Sequence, residues 1–120
     1  MTKLTLTRQT IRDEPRVLVV RLVGAVDSDN GQRVDEYMKE SFQAEQPCHV
    51  LLDFSALSYI PSVMLGSLLF WKDQIGKHGG KLILFAVQSL IADLIHVVGF
   101  HRIFTLTADQ ETALAALAAR

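Results

Sequence analysis

Ser62 is the side chain whose surroundings most clearly favour a chemical event in this chain. It follows Leu51-Leu52-Asp53-Phe54-Ser55-Ala56-Leu57-Ser58-Tyr59-Ile60-Pro61 and precedes Val63, Met64, Leu65, Leu68 and Leu69. That order predicts a buried strand, a short polar loop, and a serine that opens an apolar helix. A hydroxyl there can cap the helix by accepting from a backbone amide. The same place is the positive end of the helix dipole, where a phosphate is electrostatically welcome. Cap and phosphoacceptor both remain open. Phosphorylation would add up to about two negative charges beside Val63 and Met64, which are expected to be exposed at the helix start. Such a charge spoils a contact surface and leaves the fold intact.

Other polar groups suggest less chemistry. Asp53 and Ser55 fall in the expected loop, where they either satisfy backbone amides or meet a partner. Asp27, in Asp27-Ser28-Asp29, offers a cap oxygen and negative charge to a helix start. His49, His78, His96 and His101 lack the paired spacing of metal ligands, and Cys48 is the single cysteine, so neither a metal site nor a disulfide is expected. Cys48 has no evident activating base and is expected to be inert. No Gly-x-Gly-x-x-Gly or Walker sequence marks a nucleotide site, and no cofactor is expected. No acid/base pair or nucleophile–base spacing stands out, so the chain is not expected to be an enzyme.

The elements that must position Ser62 follow from periodicity. Leu4 and Leu6 alternate with Thr5 and Thr7 as in a half-exposed strand. After the polar turn Arg12-Asp13-Glu14-Pro15, the run Val17–Val23 predicts a second, more buried strand ending at Gly24. Val34, Tyr37, Met38 and Phe42 then recur at helical spacing. Cys48–Phe54 predicts a third strand inside a covered sheet. From Ser62, Met64, Leu65, Leu68, Leu69, Trp71 and Ile75 form a wide apolar stripe closed by Gly79-Gly80. Lys81–Ala86 predicts a fourth strand. Leu90, Ile91, Leu94, Ile95 and Val98 predict a third helix stopped by Gly99. Arg102-Ile103-Phe104 is expected as a short edge strand, and Thr107 or Asp109 can cap a last helix. Alternating strands and helices mean parallel crossovers and an α/β class: a mixed sheet of four to five strands with about four helices.

The 120 residues fit one domain spanning 1–120. Apolar residues are 49% and charged residues 21%, the composition of a packed globular protein. A formal net charge of -1 gives no bulk attraction to nucleic acid or anionic lipid. Val17–Leu22, interrupted by Arg21, is too short to insert in a membrane. Met1–Thr5 lacks a hydrophobic signal core, and with the lone Cys48 this predicts a cytoplasmic protein.

Several segments in register resemble the STAS family, the fold of bacterial anti-sigma-factor antagonists. Leu22-Val23-Gly24-Ala25-Val26-Asp27 is similar to its Gly-x-Leu-Asp segment. Val50–Ser55 is similar to its central strand ending in Asp-x-Ser. Gly79–Leu84 is similar to its glycine-pair return strand, and Val98–Phe104 to its closing segment. The phosphorylated loop of the family reads Asp-Ser-Ser/Thr-Gly-Leu-Gly, and here Pro61-Ser62-Val63-Met64-Leu65-Gly66 occupies it. The resemblance implies Ser62 as phosphoacceptor. It implies partner contacts at Asp27, Asp53, Ser55, Pro61, Val63 and Met64. The implied partner is an anti-sigma factor that is also a serine kinase, with a phosphatase resetting the switch. Pro61 replaces the acidic residue, and Val63-Met64 replace the small pair. The alternative is therefore a non-phosphorylated scaffold or binding subunit of a signalling or transport complex.

Overall fold

Val17–Val23, β-branched through most of its length, becomes the second strand of the sheet that organises the molecule. The computed structural model describes residues 3–118. Its order is β1 (Leu4–Asp13), β2 (Arg16–Ala25), α1 (Gly31–Glu45), β3 (His49–Tyr59), α2 (Met64–Gly76), β4 (Leu82–Phe85) and α3 (Ser89–Val97). A 3₁₀ turn (Phe100–Arg102), β5 (Thr105–Thr107) and α4 (Gln110–Leu117) follow. The five strands lie in the order β1-β2-β3-β4-β5. β1 and β2 form an antiparallel hairpin, and the remaining neighbours are parallel. The expected mixed sheet with four helices is what forms.

The sequential strand order dictates where the helices go. Right-handed crossovers that each step one strand onward in the same direction leave their helices on one face. There, Val34 and Met38 of α1, Leu65, Leu68 and Trp71 of α2, and Ile91 and Ile95 of α3 pack on Leu18, Val20, Leu52 and Leu84. The opposite face carries Val17, Val19, Leu51, Ile83 and Phe85, covered by Ala113 and Leu117 of α4. Alternate residues of one strand thus serve both cores, which is why β2 and β3 read as continuous apolar runs.

Gly80 sets the approach of β3 to β4. A Cβ at this position would lie 1.7 Å from the Cys48 carbonyl oxygen and 2.9 Å from Ile75 Cγ2, so only glycine fits. Beside it, His49 Nδ1 accepts from the Lys81 amide at 2.9 Å, and the Val50 amide donates to the Lys81 carbonyl at 3.0 Å.

Several boundaries differ from expectation. β1 runs on to Asp13 because its polar end pairs with β2 at the hairpin. β3 continues to Tyr59, so the expected loop after Phe54 is strand. Arg102 closes a 3₁₀ turn that Gly99 enters at φ +80°, and the edge strand is Thr105–Thr107, not Arg102-Ile103-Phe104. Of the two candidate caps of α4, Asp109 does the capping: its Oδ1 accepts from the Thr112 amide at 2.8 Å and from Thr112 Oγ1 at 2.7 Å. Met1 and Thr2, part of the expected absence of a signal core, lie outside the described residues.

Candidate functional site

The site is built on the far end of β3, where strand alternation breaks. Val50, Leu52 and Phe54 face the three-helix layer at even spacing, but the next such residue is Leu57. Pairing with β2 shows the cause. Arg21 faces Asp53 while Val23 faces Ala56, and Gly24 faces Leu57 while Ala25 faces Tyr59. Each shift inserts an extra residue into β3, as a β-bulge does. Asp53 Oδ1 accepts from the Ser55 amide at 2.9 Å, and its Oδ2 lies 3.4 Å from Arg21 Nε. Gln88 Nε2 donates to the Ser55 carbonyl at 2.9 Å, tying the bulge to the start of α3. Ser58 Oγ donates to the Gly24 carbonyl at 2.9 Å. Asp53 and Ser55 therefore hold the distorted strand end in place.

Beyond Tyr59 the chain turns immediately into α2. The Met64 amide donates to the Pro61 carbonyl at 3.0 Å, and the Leu65 amide to the Ser62 carbonyl at 3.0 Å. Proline fixes its own φ for such an entry. Val63, in helical conformation, stands at the N-cap position, and no side chain caps the helix. Of the two readings left open for Ser62, the helix cap is not what forms: the entry turn is closed by main-chain bonds. Ser62 is exposed, and its hydroxyl has no hydrogen bond among the described residues.

The two apolar residues after Ser62 part company. Val63 is 80% exposed, whereas Met64 is buried with Leu65, Leu68, Trp71 and Ile75. Met64, Leu68, Trp71 and Ile75 recur at helical spacing along the sheet-facing stripe, and a residue one step earlier is rotated by about 100° off that stripe. The expected exposure of Met64 is corrected accordingly.

Ser62 shares a depression of about 220 Å³ with Tyr59, Ile60, Leu90, Ile91 and Leu94. No charged group lines it. Leu90 is 62% exposed, although helical spacing placed it in the core of the third helix. Ile91 and Ile95 already bury the inward face of this short helix, so Leu90 and Val97 remain outside. The signal was present: Leu90, Ile91, Leu94, Ile95, Val97 and Val98 are apolar around too wide an arc for one buried face. Tyr59 was missed because the strand was expected to end before it.

Asp27 comes near by topology. Ala25 pairs with Tyr59, and the Val26 amide donates to the Tyr59 carbonyl at 2.9 Å, so Asp27 and Pro61 leave neighbouring strand ends. Asp27 Oδ1 accepts from the amides of Asp29 and Asn30, each at 2.9 Å, while Asn30 Oδ1 accepts from the Asp27 amide at 2.8 Å. This reciprocal pair builds the entry to α1. Among the described residues no group of three or more His, Cys, Asp or Glu could hold a metal, and no helix is long and apolar enough to cross a membrane.

Comparison with known proteins agrees with this architecture. An anti-sigma F factor antagonist of Paenibacillus polymyxa is 29% identical over 101 residues, which are 84% of this chain and 86% of that protein. An anti-sigma factor antagonist from Mycobacterium paratuberculosis superposes with a TM-score of 0.78 at 24% identity, covering 94% of each chain. The Bacillus cell fate determinant SpoIIAA in its phosphorylated form gives 0.70 at 17% identity, over 92% of this chain and 97% of that one. With the STAS domain family model matching residues 8–113, on a five-stranded sheet of the same design, the chain belongs to the STAS domain family.

Proposed function

We propose that this protein acts by binding, as a cytoplasmic antagonist that captures an anti-sigma factor with serine kinase activity and is switched by phosphorylation of Ser62. A phosphatase then resets it. The observation that carries this is the placement of Ser62, an exposed hydroxyl with no internal partner on the rim of an uncharged apolar depression. Val63, Tyr59 and Leu90 supply the docking surface, and Pro61 and Asp27 flank it. Asp53 and Ser55 support it through the bulge and Gln88, and Met64 anchors it from beneath. A phosphate at Ser62 would set about two negative charges on a lining that has none, opposing the desolvation that docking requires. The start of α2 tolerates that charge, so the fold survives the switch.

Coexpression with an anti-sigma kinase, followed by intact-mass measurement and phosphopeptide mapping, tests this. One phosphoryl group on Ser62, lost in Ser62→Ala, is expected. Ser62→Asp should weaken capture of the kinase by about tenfold or more. Phosphate on another residue rejects Ser62 as the acceptor. Pro61 and Val63, standing where the family pattern has an acidic and a small residue, favour a second reading: a permanently active binding or scaffold subunit. Capture without any phosphorylation, unchanged in Ser62→Asp, would support that one.

A further inference from the structure

A second hollow lies away from Ser62, at the opposite end of the sheet, where β2 and β3 begin. It is a cleft of about 850 Å³ between α1 and α2, of the volume that small-molecule sites have. β3, with 11 residues at about 3.3 Å each, separates it from Ser62 by roughly 30 Å. Phe42 of α1 and Phe70 and Trp71 of α2 line it, and Phe70 is 59% exposed although it stands between buried Leu68 and Trp71. Cys48, an unpaired thiol, forms part of the floor.

The permanent charges lining the cleft, on Arg16 and Lys39, are both positive. Arg16, Lys39 and His78 line it, and no carboxylate does. Helix C-termini attract cations on their own account, and Arg16 answers that need, donating from Nη1 to the Glu45 carbonyl at 2.8 Å. Lys39 does not. It lies more than a turn before the end of α1 and has no hydrogen bond or ion pair among the described residues. Gln46 and Gln74 add side-chain amides that are likewise unbonded there. One unmatched permanent cation, with an imidazole and free amide donors elsewhere on the same lining, suits a single negative charge.

We propose that this cleft binds a small amphipathic carboxylate, its apolar body against Phe42, Phe70 and Trp71 and its head on Lys39. Aromatic walls contribute by burial, and the ammonium selects the anion over a neutral isostere. The site is independent of the role of Ser62, which faces the other end of the sheet. Trp71 is the single tryptophan of the chain, so its indole N–H is an unambiguous reporter.

Titration of the ¹⁵N-labelled full chain with 4-phenylbutyrate, and in parallel with neutral 4-phenylbutanol, tests the proposal by chemical shift. Saturable shifts are expected at the Trp71 indole and along residues 39–48 and 70–78, with the alcohol weaker by about tenfold. Lys39→Glu, an exposed position whose change should leave the fold intact by circular dichroism, should weaken the carboxylate by about tenfold and not the alcohol. Shifts that do not saturate by about 10 mM, equal binding of acid and alcohol, indifference to Lys39→Glu, or shifts centred on Ser62 would each overturn it.

Discussion

Val63 and Met64 are adjacent and equally apolar, yet helix geometry gives them opposite duties. Val63 points to solvent, and Met64 lies in the core beneath it. Val63→Asp should therefore cut partner capture by about tenfold or more while leaving the thermal midpoint unchanged. Met64→Ala should instead cost about 2–4 kcal/mol of stability, as truncation of a buried side chain does. Pull-down and thermal denaturation on both variants separate the two effects. Loss of stability in Val63→Asp, or none in Met64→Ala, would reverse the assignment. Ser62 itself could be located from its neighbours in the chain, but its free hydroxyl could not. Pro61 and the main-chain turn made the serine cap unnecessary, and that is a property of three-dimensional hydrogen bonding.

The strand pair β3–β4 and helix α4 each carry a titratable group with a defined job. His49 Nδ1 accepts from the Lys81 amide, so the ring must be neutral there. Burial, and then the charges of Arg12 and Lys81, push its pKa below the usual 6.5. The folded state thus binds fewer protons than the unfolded chain. His49 contributes its full stability above the ordinary value and loses it as pH falls through the lowered one. Chemical denaturation from about pH 7.5 to pH 5 should show stability falling with acid, with a shallower fall in His49→Ala. An unchanged slope would remove His49 from the account. Asp109 is held below the usual carboxylate range by the Thr112 amide, then by the Thr112 hydroxyl. Its capping contribution is present above the ordinary carboxylate pKa and is lost as pH falls through the lowered value. Asp109→Ala should lower the thermal midpoint at pH 7, and the gap from wild type should close in strong acid.

Across the molecule, the sheet carries a surface hollow at each end. The C-terminal ends of the parallel strands present Ser62 and the Tyr59–Leu90 rim, and their starts enclose the cleft between α1 and α2. Gly80 holds the second end together by letting its backbone touch Cys48. Gly80→Ala should cost about 1–3 kcal/mol, because the clash is with main chain and neither strand can yield without breaking its pairing. Urea denaturation measures this, and a neutral result would mean that β3 and β4 can separate at that point.

Runs such as Val17–Val23 and Lys81–Ala86, alternating with the helical stripes of Val34–Met38 and Met64–Ile75, are enough to dictate an α/β sheet with parallel crossovers. Periodicity is a local property, and burial of the apolar face leaves one arrangement of each element. The Gly79-Gly80 pair, the Asp27 turn before α1 and the Asp109 cap are likewise local chemistry. The length of β3, the side to which Met64 turns, the exposure of Leu90 and the edge position of Thr105–Thr107 are not local. Strand β3 keeps going past Phe54 because β2 lies alongside to pair with it, bulges included. Leu90 stays outside because Ile91 and Ile95 have already filled the space over the sheet. Those outcomes depend on which neighbour reaches a surface first, and only the packed chain decides that.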